Sequence, residues 1–164
     1  MKIAIIGAGS VGTNLHHALQ LKGVRAELVH ARPLTADPEA VKALPQADCY
    51  IYTVADHVLE QVVALVHAPQ ALHLHTSGSM PISVFGADKP HSGILYFLQS
   101  FSREVLIDGL AKGKVKLERR EDGKVEKYTT EGRSGFSFRS VEKSMMSCWA
   151  TNSSLSSLSP AWQG

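Results

Sequence analysis

Two cysteines in 164 residues, Cys49 and Cys148, are too few for a disulfide scaffold. So little cysteine points to a reducing compartment, and the expected location is cytoplasmic. Long apolar runs are also missing. Met1-Lys2 followed by aliphatic residues looks like the start of a secretory leader, but Gly7 breaks the run after four apolar residues and no small-residue cleavage pattern follows. No later stretch approaches the roughly 20 apolar residues of a membrane span, so no membrane partner is expected. Charge of one sign is lacking as well. With 17 Lys and Arg against 15 Asp and Glu, the net +2 gives no whole-chain argument for nucleic acid, and none is expected as a partner. The length allows a real core but not two full domains.

What the chain does have begins at its third residue. The aliphatic run Ile3 to Ile6 breaks into glycines spaced Gly7-x-Gly9-x-x-Gly12, which reads as strand, tight turn and helix. A continuous aliphatic run is what a parallel strand buried on both faces shows. Gly7 then permits the sharp turn, Gly9 lets a pyrophosphate approach the backbone, and Gly12 lets the helix lie close to the strand. Ala8, Ser10 and Val11 complete the turn, with Ser10 a hydroxyl donor or the helix N-cap. A bound anion would face the free N–H groups and the positive dipole end of that helix. Val11, Leu15, Ala18 and Leu19 recur at helical spacing, which is the context the motif requires. The competing reading is a strand, turn and helix with no ligand.

The helix should stop near Lys22-Gly23, and Val24 to His30 forms the next strand. At its end a dinucleotide fold carries an acidic residue for the adenosine ribose, or an Arg that accommodates a 2′-phosphate. His30-Ala31-Arg32 offers no carboxylate, and Arg32 can pair bidentately with a phosphate, so the sequence leans toward NADP, with NAD the other candidate. A solvated strand-end arginine is the plain alternative. Asp37 to Leu44 predicts a short helix with Pro38 in its first turn, leaving the usual third strand lost or vestigial.

Asp48 to Val54 is the next strand, rich in β-branched and aromatic residues. Val58, Leu59, Val62, Val63 and Val66 then follow at helical spacing. Val54, Ala55 and Asp56 at the carboxyl end of this strand should border a cofactor, although Asp56 also suits a helix N-cap. Ala71 to His75 is a further strand ending in the polar turn Thr76-Ser77-Gly78-Ser79, whose hydroxyls and amides suit a ribose, a nicotinamide amide or a substrate. His73 and His75 share a strand face, but without further spaced ligands no metal site is expected. His75 is either a proton donor or a hydrogen-bonded structural residue. His16, His17 and His57 look like surface residues without partners. Pro81 to Phe85 predicts one helical turn, and Ile94 to Leu98 another strand.

Five stretches together resemble a bacterial family of predicted oxidoreductases that join a Rossmann-like domain to a helical C-terminal domain of unknown function. They are Ile5 to Gly12, Ala31-Arg32, Tyr52 to Asp56, His75 to Ser79 and Tyr96 to Phe101. The first domain of that family is similar to those of deazaflavin-dependent NADP oxidoreductases and pyrroline-5-carboxylate reductases. The resemblance implies an α/β, Rossmann-like fold with a mostly parallel, doubly wound sheet. It also implies NAD(P) bound with the glycine turn on the pyrophosphate, Arg32 near the adenosine phosphate, and Thr76 and Ser77 near the nicotinamide. In such relatives the helical domain covers the nicotinamide and usually mediates dimerisation, so a homodimer is an expectation of the resemblance. The leading function is an NADP-preferring oxidoreductase acting on an unidentified small molecule. A nucleotide-binding module without catalysis, and a domain holding another nucleotide or adenosyl ligand, are the alternatives. No catalytic residue is assigned.

The resemblance ends near Asp108, which divides the chain into a nucleotide-binding domain (1–108) and a charged tail (109–164). Ten Lys and Arg stand against six Asp and Glu in the tail, while the first part carries seven against nine. Residues 114–121 and 124–129 flank Asp122-Gly123, a two-residue hairpin signal. In that register Leu117 faces Tyr128, and Glu118–Lys127, Arg119–Glu126 and Glu121–Lys124 are opposite-charge pairs. An isolated hairpin is marginal in water and must dock on something or fray. The Ser-rich stretch from Ser140 onward predicts weak order. The abrupt change of composition also fits a tail that is a truncated or frame-shifted replacement for the helical domain.

Overall fold

The computed structural model describes residues 1–97, 101–102, 114–121 and 124–131, the last two segments as backbone strands. Strand β1 (Ile3–Ile6) leads into helix α1 (Ser10–Leu21), and β2 (Ala26–Val29) is followed by α2 (Ala31–Ala36) and α3 (Pro38–Lys42). Then come β3 (Cys49–Tyr52), α4 (Asp56–Leu65), β4 (Leu72–His75), a 3₁₀ turn (Ile82–Phe85) and β5 (Ser92–Phe97). Strands β6 (Lys114–Glu121) and β7 (Lys124–Glu131) complete the described chain. One sheet takes them in the order β2-β1-β3-β4-β5-β6-β7. The first five strands are mutually parallel, and β6 and β7 add on antiparallel. This is a Rossmann-like α/β fold, with no strand between α3 and β3.

Every residue of β1 is buried, and alternate side chains serve opposite faces. Ile3 and Ile5 pack with Leu15 and Leu19 of α1 and with Ile51 and Leu74 of the neighbouring strands. Ala4 and Ile6 pack on the other side with Tyr52, Leu59, Val62 and Val63. On α4, Leu59, Val62, Val63 and the following Val66 fall at the spacing that makes one apolar stripe. Each such buried aliphatic side chain contributes roughly 1.5–3 kcal/mol. Cys49 lies inside this sheet, and burial pushes its thiol pKa well up, so it packs as a small apolar residue.

Several expectations change at the element ends. Helix α1 stops where expected, with Gly23 at φ +70°. Its N-cap, however, is Gly9, and Ser10 is the first helical residue. The region after β2 holds two helices rather than one. Pro33 sits in the first turn of α2, where no N–H is needed. The predicted Asp37 helix is α3, with Pro38 in its first turn and the Asp37 carboxylate accepting from the Glu39 amide at 2.9 Å. His16, expected to lack a partner, is half-buried with Nε2 3.1 Å from the carbonyl of Ala26 in β2.

The hairpin forms in the expected register, with Leu117 opposite Tyr128, Glu118 opposite Lys127, Arg119 opposite Glu126 and Glu121 opposite Lys124. It docks on β5, where Ser92 to Phe97 pair with Arg120 to Val115. The Asp122-Gly123 turn, the division at residue 108 and the Ser-rich terminus lie outside the described residues. Among those described, no helix is long and apolar enough to cross a membrane.

Candidate functional site

The parallel strands share one direction, so the turns after β1, β3 and β4 gather at one edge of the sheet, where ligands bind in open α/β folds. The glycine turn there is locked to its neighbours. The Gly7 amide donates to Val29 of β2 at 2.8 Å, and the Thr53 amide donates to Ile6 at 2.8 Å. The buried Thr53 hydroxyl donates to Gly7 O at 2.7 Å. Gly7 adopts φ +121°, and a Cβ there would stand 2.6 Å from Thr53 O. A Cβ on Gly12 would stand 1.9 Å from Gly7 O and 2.5 Å from Thr53 Oγ1.

Gly9 differs from both. Its φ of −80° is ordinary, and a Cβ would meet nothing nearer than Thr53 O at 4.0 Å. Packing among the described residues therefore does not require glycine at this position. No side chain caps α1, so its first-turn N–H groups, which have no intrahelical partner by construction, lie next to this bare backbone. Ala8 and Val11 flank the turn, both half-buried.

Arg32 is exposed on the first turn of α2, just past the end of β2, and takes no part in the ion pairs among the described residues. On the other side of β1, Val54 is half-buried and Ala55 and Asp56 are exposed. Asp56 is not the N-cap of α4. Ala55 holds that position with no side-chain cap, and Asp56 is the first helical residue. Its carboxylate instead accepts from the Ser79 hydroxyl in the turn after β4. The Ser79 and Ser77 hydroxyls beside it hold the Asp56 carboxyl below the usual carboxylate range. Ser77 Oγ accepts from the amides of Ser79 at 3.2 Å and Met80 at 3.1 Å. The Thr76 hydroxyl is turned inward and donates to Tyr52 O at 3.3 Å.

His73 and His75 both face the α4 side of the sheet. His75 is fully buried, its ring 5.4 Å from that of Phe85. His73 is also fully buried and stacks on Tyr50 at 5.5 Å and Tyr52 at 6.0 Å. Its Nε2 meets the Ala68 carbonyl at 2.8 Å, and its Nδ1 meets the Tyr52 hydroxyl at 2.9 Å. The carbonyl can only accept, so Nε2 carries the proton and Nδ1 accepts from Tyr52. Both ring nitrogens are thereby engaged within the core.

Desolvation pulls the His73 pKa from the ordinary 6.5 down to about 4, opposed by the Ala68 hydrogen bond. Lys89 and His91 nearby reinforce the shift and Asp88 opposes it. The folded pKa is depressed, so the unfolded chain binds the extra proton between these limits. The stabilisation is complete above pH 6.5 and falls away as pH drops toward 4, by on the order of 2–3 kcal/mol. Urea unfolding at pH 7 and pH 4.5 should show this loss, and His73→Phe should flatten it.

Thr53 and Asn14 near the glycine turn escaped the sequence reading, while Ser79 was read as part of the polar turn after β4. Thr53 bears only long-range contacts. Asn14 is a fully buried amide on α1 that donates to Ser10 O at 2.9 Å and Ser102 O at 2.6 Å, tying the chain after β5 to the start of that helix. A separate cleft of about 690 Å³ opens at the opposite edge of the sheet, between Lys2, Arg25, Gln46, Asp48 and His67. It contains none of the predicted site residues.

The sheet order, the glycine turn and the paired helices define a Rossmann-like α/β protein. Among solved structures, the chain is similar to a Bacteroides fragilis protein provisionally named an NADP oxidoreductase, with 31% identity and a TM-score of 0.58. That match covers 74% of this chain and 52% of the other. A Thermotoga maritima protein shares the fold at 16% identity and a TM-score of 0.51, over 74% of this chain and 49% of that one. The chain thus spans about half the length of these two structures. No family model and no curated protein matches it. The likeness to both structures lies in the Rossmann-like α/β fold.

Proposed function

We propose that the chain binds NADP(H) across the carboxyl edge of its sheet and serves a hydride-transferring oxidoreductase whose substrate is a small molecule. The observation that carries this reading is the open space at Gly9. Gly7 and Gly12 answer to packing among the described residues, whereas the bare backbone at Gly9 leaves room for a ligand to approach. A diphosphate suits that place, facing the first-turn amides of α1. Arg32 would take the 2′-phosphate on the β2 side, and Val54, Ala55, Asp56, Thr76 and Ser77 would line the nicotinamide side. NAD is the lesser candidate, because His30-Ala31-Arg32 just after β2 offers no carboxylate to hold a free ribose diol. The cofactor, when bound, supplies the hydride chemistry, and these residues hold and orient it. The likeness in fold to the Bacteroides protein supports this reading.

Titration of the full chain with NADPH, NADH and S-adenosylmethionine tests it. NADPH should bind, and Gly9→Ala should weaken it at least tenfold without lowering the melting temperature. No heat with any nucleotide at millimolar concentration would end the proposal. A second reading is a nucleotide-binding module without catalysis, in keeping with the absence of an assigned catalytic residue among the described residues at the sheet edge. Cofactor turnover by the purified chain alone excludes it.

A further inference from the structure

Asp56, Ser79 and Ser77 come from two elements, the start of α4 and the turn after β4, and meet at the carboxyl edge beside the glycine turn. An ionised carboxylate only accepts hydrogen bonds. The Ser79 proton is therefore committed to Asp56, and the Ser77 hydroxyl, 3.2 Å from Ser79 Oγ, directs its proton toward the same charge. Ser77 Oγ is in turn occupied by the amides of Ser79 and Met80. All hydroxyl donors of the cluster are spent internally, while the exposed Asp56 carboxylate keeps accepting capacity. Helix capping does not explain the arrangement, because α4 is entered through Ala55 and has no side-chain cap.

The side chains of this cluster offer a charged acceptor and no spare hydroxyl donor, which favours a neutral donor group over a phosphate. From the end of β2, where Arg32 stands, to the end of β4 is three interstrand steps, about 14 Å. That separation places the acceptor cluster at the far end of an extended dinucleotide whose 2′-phosphate is near Arg32. We propose that Asp56, held by Ser79, accepts hydrogen bonds from the ribose hydroxyls or carboxamide of the nicotinamide half of the dinucleotide, with Ser77 and Ser79 as positioning residues. The inference rests on the NADP reading above and deepens it.

The test compares two ligands on the full chain by calorimetry: NADPH, and adenosine 2′,5′-bisphosphate, which lacks the nicotinamide half. Asp56→Asn and Ser79→Ala should each weaken NADPH about tenfold and leave the bisphosphate within twofold. Ser79→Thr, which keeps the hydroxyl, should restore NADPH binding, a rescue that loosened packing alone would not give. Equal losses for both ligands, or no loss for NADPH, overturn the inference while leaving the NADP reading standing. If the unaltered chain binds neither ligand, the NADP reading itself falls and takes the inference with it.

Discussion

Gly12→Ala is expected to lower stability by roughly 3–5 kcal/mol, a large part of the 5–15 kcal/mol typical of a folded domain. The new methyl group would stand 1.9 Å from Gly7 O and 2.5 Å from Thr53 Oγ1, and backbone cannot yield as the tip of a flexible side chain can. Either α1 lifts from β1, or the turn shifts and breaks the bond from Thr53 Oγ1 to Gly7 O. Overpacking of this kind costs about 1–3 kcal/mol or more, and a buried acceptor left unpaired adds about 1–3 kcal/mol. In a chain of this size the melting temperature should fall by roughly 10 °C or more. Thermal unfolding beside Gly9→Ala gives the sharpest comparison. The two glycines are three residues apart, but only the Gly12 variant should melt early. An unchanged melting temperature for Gly12→Ala would contradict the packing described.

Arg32→Ala should weaken NADPH by about 10- to 100-fold and leave NADH within twofold. Its guanidinium is exposed and takes no part in the ion pairs of the described residues, so it can meet a phosphate without first giving up a partner. A charge-assisted hydrogen-bonded pair contributes about 1.5–3 kcal/mol, which is the stated range of affinity. The preference should shrink as salt rises, since the site is open to solvent. Parallel losses for both nucleotides would place Arg32 elsewhere than on the 2′-phosphate.

The start of the fold was legible because its causes are local. An aliphatic run and three spaced glycines encode β1, the turn and α1 within ten residues of chain. The hairpin register was legible for a similar reason, from alternating charges around a two-residue turn, although nothing local announced that β6 would join β5. Element ends were read one residue off where side-chain chemistry suggested a cap. Ser10 and Asp56 both look like N-caps, yet Gly9 and Ala55 occupy those positions. The polar residues that knit the cleft were hardest to see. Thr53 reaches a carbonyl 46 residues away and Asn14 one 88 residues away, and no short window of sequence contains both partners. His75 offered either chemistry at a strand end or a structural role, and its ring, like that of His73, lies in the core.

The grip of Thr53 on Gly7 has a mechanical consequence. It fastens the floor of the cleft, tying the loop after β1 to the end of β3 just before α4 begins. A shift of either loop must stretch that buried bond, so the two are expected to keep their spacing when a ligand arrives.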